Sequence, residues 1–268
     1  MRGRLSPKDL IRRYPEIDFL VAEGNVSSQY MISIHKAFYQ FAAEQTAGGT
    51  VLDAGCGTGF GTDLVAHNAD HAVGIDIKDK LLSFAKDTYI KSNLHFAVME
   101  AGALGFPPDT FDVVIADELL EHLPDHIPFL HETVKVLKPG GKFICATVNR
   151  THSFGSAEAP LNRNHFREFN AVEFKKELEK YFHTVSLSGQ RAGGEFQQYM
   201  HTRSARLIEW FLLVLNIKHK FPPAWRSKVR SILTGVKADS VPPEKFRVTQ
   251  DDVDSSLYLV AVAHKGGT

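Results

Sequence analysis

The chain has 268 residues, and its 31 basic and 31 acidic side chains cancel to a formal net charge of zero. That length can bury a large core, while the balanced charge gives no global pull toward nucleic acid or acidic membranes. The two cysteines, Cys56 and Cys145, lie in apolar, strand-like contexts and read as buried residues of a reducing compartment, not as a disulfide framework or metal site.

The charged opening "MRGRLSPKDLIRRYPEIDF" lacks an apolar signal-peptide core, and "WFLLVLNI" is too short to span a bilayer, so a cytoplasmic setting is expected. Within residues 1–48, "SQYMISIHKAFYQFAAEQ" reads as an amphipathic helix of an N-terminal cap. From Gly49 onward, strands alternate with helices. "TVLDAG" is followed by the helix "FGTDLVAHNA", and "AVGIDI" by "DKLLSFAKDTYI", with Leu81, Ala85 and Tyr89 on one face. "LHFAV" and "FDVVIA" are strands three and four. The next helix carries Ile127, Leu130, Val134 and Leu137 as one stripe and stops at "KPGG" before the strand "KFICATV". "NAVEFKKELEKYF" presents Phe174, Leu178, Tyr181 and Phe182, and "TVSLSG" follows as a sixth strand. Doubly buried strands alternating with helices imply a parallel sheet covered on both faces. The alternation breaks over residues 195–250, read as a cap insertion, and "SSLYLVAVAHK" within 251–268 supplies the last strand of the core begun at 49–194.

"VLDAGCGTGFG", Val51 to Gly61, is the most informative stretch. A dinucleotide fingerprint, G-x-G-x-x-G, fails whether counted from Gly55 (Phe60 in the third place) or from Gly57 (Thr62), and no G-K-[ST] follows as a phosphate loop requires. The loop therefore suits an adenosine ligand that does not demand a phosphate. Asp76 ends the second strand about 20 residues on, where an acid meets a ribose diol, although it could equally cap the following helix.

On these residues the chain resembles the class I S-adenosylmethionine (SAM)-dependent methyltransferases, over roughly Val51 to Gln190. "VLDAGCGTGFG", "GIDI", "FAVMEAGALGFPPDTFDVVIADELLEHL" and "VLKPGGKF" match that family's motifs in order. The resemblance implies an α/β, Rossmann-like, seven-stranded, mostly parallel sheet flanked by helices, with the N-terminal helical cap and the insertion before the last strand. It implies SAM as cofactor. Asp53 would orient the loop near the methionine amino group, while Gly55, Cys56, Gly57 and Gly59 would line the methionyl and ribose portions. Asp76, with Ile77 beside it, would take the ribose hydroxyls. Glu100 would accept from the adenine amine and Ala101 would offer its N–H, though the family more often has Asp in place of Glu100 and Pro in place of Gly105. Asp117 would lie near the methionine end and the acceptor.

Methyl transfer to a hydroxyl requires an aligned acceptor and a base. His122 in "LLEHL", His165 in "NRNHFREF" and His152 all follow strands at the sheet's carboxyl edge, which ranks them above His67, His71 and His264. His165 and His122, with Asp117, are the expected catalytic set. The plainer readings are a helix brace made by His122 with Glu121, and a surface turn made by His165 with Arg167 and Glu168. The segment after the fifth strand is similar to a methyltransferase subgroup carrying T-P-N-R and N-P-x-H-x-R-E, associated with glycan methylation, although Val148 and Arg163 replace its prolines. The expected acceptor is thus a small molecule or saccharide, methylated at oxygen. An amine held by Glu118 or Asp117 is the alternative, and a non-catalytic SAM-binding partner protein the rival of another class. No essential metal and no nucleic acid partner are expected. Residues 203–233 mix aromatic and basic side chains, which fits a packed cap better than a membrane-surface contact. The oligomeric state is left open.

Overall fold

The computed structural model describes residues 26–151, 160, 162, 164–192 and 246–267. In chain order these form α1 (Val26–Glu44), β1 (Thr50–Ala54), α2 (Phe60–Val65), β2 (His71–Asp76), α3 (Asp79–Thr88), β3 (Leu94–Val98) and β4 (Phe111–Asp117). A 3₁₀ turn (Leu120–His122), α4 (Ile127–Val136), β5 (Leu137–Val148), α5 (Ala171–Leu178) and β6 (Thr184–Ala192) follow, then β7 (Phe246–Thr249), a second 3₁₀ turn (Val253–Ser255) and β8 (Tyr258–His264).

The sheet runs β3-β2-β1-β4-β5-β8-β6-β7. β1 through β5 pair in parallel, and β8 inserts antiparallel between β5 and β6. The chain leaves β1 toward one edge and returns at β4 on its other side. The crevice between the carboxyl ends of these strands is the switch point where open α/β sheets bind ligands. Strand periodicity explains the two-faced core. Leu52, Ala54, Val114, Ala116, Phe143 and Cys145 join one buried cluster, while Val51, Val113, Ile115, Ile144 and Ala146 join the other, with Phe38, Tyr39, Ala42 and Ala43 of α1.

The sheet has eight strands where seven were expected. β7 is a four-residue edge strand on β6, within the span read as insertion; so short an element leaves little periodicity to detect. α4 buries Phe129, Leu130, Thr133 and Val136; of the expected stripe Leu130 and Leu137 are buried and Val134 packs partly against the core, but Ile127 is exposed and Leu137 already belongs to β5. α2 is also shorter than predicted, ending at Val65, after which Asn93 donates its side-chain amide to the Ala66 and Ala69 carbonyls. The elements otherwise follow the expected chain order, and among the described residues no helix is long and apolar enough to cross a membrane.

α1 reaches the sheet through a missing side chain. A Cβ on Gly61 would fall inside the Tyr39 ring, so this glycine lets α1 lie directly on α2. Gly61→Ala should therefore lift α1 and cost about 1–3 kcal/mol in denaturant unfolding; an unchanged midpoint would refute this packing.

Candidate active site

The carboxyl edge of the sheet carries two groups of polar side chains. The first surrounds the glycine loop. Asp53, at the end of β1, is fully buried and accepts hydrogen bonds from Tyr39 Oη (3.0 Å) and Thr62 Oγ1 (2.6 Å). The loop then turns back: Gly55 and Cys56 donate their N–H groups to the Ile75 carbonyl, and the Cys56 carbonyl accepts from Gly59 N–H. Cys56 faces inward, and burial pushes its thiol far up, so it remains neutral. Gly55 lies under Leu119, and Gly59 against Phe96 and Ala85. Gly57 differs, because a Cβ there would meet nothing within 4 Å: the loop is open to a ligand at this point.

Asp76 closes the loop from β2. Its Oδ2 accepts from Gly57 N–H (3.0 Å) and its Oδ1 from Lys78 N–H (2.8 Å). Because a carboxylate has about four acceptor positions, two stay available for a diol. The N-cap residue of α3 is Lys78, so Asp76 braces the turn before the helix instead of capping it. Ile77 is 67 % exposed and Val98 50 % exposed, an unusual apolar pair at the rim. Exposed Glu100 and half-buried Ala101 follow β3, whose end is tied to β2 by Met99 N–H donating to the Asp76 carbonyl. An open glycine, a carboxylate with spare acceptor positions and exposed aliphatic side chains fit an adenosine with its ribose and base.

The second group follows β4 and β5. Asp117 does not meet His122 or His165; it pairs with His35 of α1, Oδ2 to Nδ1 at 2.6 Å. Burial pulls the His35 imidazole down, but Asp117 and Glu118 outweigh it and raise its pKa to about 9. Glu118 has φ 49°, a left-handed conformation seldom adopted by a non-glycine residue. Its Oε1 is buried without a hydrogen-bond partner, 4.0 Å from His35 Nε2, and burial raises its pKa despite the opposing charge of His35. Glu121 is fully buried and pushed up to about 8, first by burial and then by Glu118, so it is protonated at neutral pH.

His122 and His165 are brought together by the loop after β5. Phe166 N–H donates to the Glu121 carbonyl, and the Asn164 carbonyl accepts from His122 Nδ1 (3.0 Å). The two rings meet edge to face at 4.8 Å. A carbonyl can only accept, so His122 carries its proton on Nδ1 and presents Nε2 as an acceptor. One side of the ring is open to solvent. The packed side disfavours the imidazolium and lowers its pKa; His165 and Lys78 act in the same direction, and the Asn164 carbonyl opposes. His165 has both nitrogens engaged, Nδ1 with Glu168 Oε1 (2.8 Å) and Nε2 with the Asn162 amide (2.8 Å). A polar cleft of about 560 Å³ lies behind this loop, but several of its charges neutralise one another, as in Arg150–Glu173 and Lys180–Glu177.

His35, Tyr39 and Thr62 were not among the expected site residues. Tyr39 and His35 lie four apart on the apolar-periodic helix α1, where an aromatic and a histidine read simply as packing; Thr62 was weighed only as a failed third glycine. His152 and Arg163 fall outside the described residues, as does most of the insertion.

Residues 52–145 match a family described as a methyltransferase domain. The chain is 29 % identical over 242 residues to a probable S-adenosylmethionine-dependent methyltransferase of Mycolicibacterium smegmatis, covering 90 % of this chain and 91 % of that protein. It is 35 % identical over 107 residues to a ubiquinone biosynthesis O-methyltransferase of Hydrogenovibrio crunogenus, covering 38 % of this chain and 44 % of that one. Among solved structures, YcgJ of Bacillus subtilis shares the fold with a TM-score of 0.55 at 16 % identity, over 87 % of this chain and all of its own.

The His35–Asp117 pair makes the docking of α1 depend on pH. A histidine raised from 6.5 to about 9 on folding stabilises fully below 6.5, progressively less above it, and not at all beyond about 9. Wild type should therefore exceed His35→Gln by on the order of 2 kcal/mol at pH 6 in urea unfolding, a margin that shrinks by pH 9.5. A margin that does not change with pH would contradict the ion pair.

Proposed function

We propose that this chain, a class I S-adenosylmethionine-dependent methyltransferase, transfers the methyl group to a hydroxyl oxygen of a small molecule or saccharide, with His122 taking the hydroxyl's proton. The observation that carries this reading is the Nδ1–H of His122 donating to the Asn164 carbonyl, which leaves Nε2 as the basic nitrogen. The cofactor, when bound, supplies a methyl group already activated on a sulfonium, so the chain's task is to bind, align and deprotonate the acceptor. Asp53, the loop Gly55–Gly59, Asp76, Ile77, Glu100 and Ala101 hold the cofactor in this reading, with Asp117 at its methionine end. His165, locked between Glu168 and Asn162, keeps the His122 ring in place.

One observation favours a second reading. The buried Oε1 of Glu118, which takes no hydrogen bond and faces His35 at 4.0 Å, would suit an amine acceptor, which needs to be held but needs no strong base.

The two readings separate on one pair of variants. With methyl-labelled SAM and fractionated sugars, phenols and amines, His122→Ala should lower kcat by about 10²- to 10⁴-fold, with partial recovery at high pH. Wild-type kcat should rise with pH through a value below the ordinary imidazole pKa, because His122 is held low. Full activity in His122→Ala together with loss in Glu118→Gln would instead select the amine.

A further inference from the structure

Asp53 is a carboxylate with no sunlit side and, among the described residues, no lysine or arginine paired to it. It is fully buried on β1, and its hydrogen bonds come from two hydroxyls on helices outside the strand. Tyr39 Oη donates between its two oxygens, at 3.0 and 3.3 Å, and Thr62 Oγ1 donates to Oδ2 at 2.6 Å. The position of the Tyr39 hydroxyl is fixed from both sides: the ring lies on the bare face of Gly61 and packs edge-on against Phe38, with centroids 5.4 Å apart. Neither partner can cancel the charge of the carboxylate. A buried anion stabilised only by neutral donors gains most from a cation that arrives with the ligand.

We propose that Tyr39 is a positioning residue for the cofactor: its hydroxyl, with that of Thr62, holds Asp53 as the carboxylate whose buried charge attracts the cofactor's α-ammonium. This rests on the reading that Asp53 lies at the methionyl end of a bound cofactor, and it goes further by making α1 part of that site.

The direction of the pH dependence follows from the groups around Asp53. Burial raises its pKa, the hydrogen bonds from Thr62 and Tyr39 lower it, and the charges of Asp117 and Asp76 raise it again, leaving it at about 7. Cys56 beside it is kept neutral by burial, and Asp117 is itself paired with His35. Tyr39 itself is held well above the ordinary phenol value, by burial and then by Asp53, so it remains a donor throughout. Removing its hydroxyl takes away a force that favours the carboxylate. Asp53 then ionises only at higher pH, and ammonium capture moves with it.

The test compares two neutral-sulfur probes by isothermal titration from pH 5.5 to 8.5: S-adenosylhomocysteine, which carries the α-ammonium, and 5′-methylthioadenosine, which does not. In the wild type, affinity for the first should rise with pH through a midpoint near 7, while affinity for the second stays flat. Tyr39→Phe keeps the ring on Gly61 and should move the midpoint up by about one pH unit, weakening binding up to about tenfold at pH 6.5 and little at pH 8.5. Thr62→Val removes the other donor without touching α1 and should move it in the same direction, which keeps the test decisive if Tyr39→Phe folds poorly. An equal loss at every pH would make Tyr39 merely structural and overturn the proposal. So would a pH profile shared by both probes. Failure of the wild type to bind either probe would overturn the cofactor assignment itself, and this proposal with it.

Discussion

The burial of one carboxylate, Asp53, organises the half of the sheet edge that carries the glycine loop. A charge placed at the end of a central strand, without solvent, must be met by donors from whatever packs around it. Here α1 supplies Tyr39 and α2 supplies Thr62, so both helices are tied to β1 through the same side chain. That requirement explains features that look unrelated in the chain. Gly61 is bare because the Tyr39 ring must lie on α2, and the loop from Gly55 to Gly59 is folded back on Ile75 because α2 must begin beside Asp53.

The other half of the edge is organised by how β4 and β5 end. Asp117 turns toward α1 and pairs with His35, while Glu118 takes a left-handed conformation and keeps a buried oxygen without a hydrogen bond. Such local strain persists only where the surroundings impose it, and it concentrates at functional positions. Beyond it, the loop after β5 is joined to the 3₁₀ turn by the Phe166 and His122 hydrogen bonds, which brings two histidines from distant sequence positions into ring contact. Helix α1 spans both halves, since Tyr39 and His35 lie one turn apart and each meets a different acid.

The succession of parallel strands, the glycine loop and the acid that ends β2 were legible in the sequence because their physics is local. Buried parallel strands read as short apolar runs, and a loop that must approach a ligand needs glycines at fixed spacing. His122 and His165 were also legible as candidates, since both follow strands at one edge, but nothing in the spacing could show that Glu168 and Asn162 engage both nitrogens of one while a carbonyl fixes the tautomer of the other. Tyr39 and His35 were hidden for a different reason. Their partners lie 14 and 82 residues away, and an amphipathic helix gives no sign of which of its polar tips meets a buried acid. β7 escaped notice because four residues on a sheet edge carry almost no pattern.

The central claim is that the edge formed by β1 and β2 holds S-adenosylmethionine, with Asp76 on its ribose. Titration of SAM into the wild type and Asp76→Ala, with circular dichroism to confirm that both are folded, tests it most directly. The account predicts binding by the wild type and at least about tenfold weaker binding by the variant, the loss expected when charge-assisted hydrogen bonds to a diol are removed. Equal affinity in two folded proteins would place the cofactor elsewhere and contradict the account.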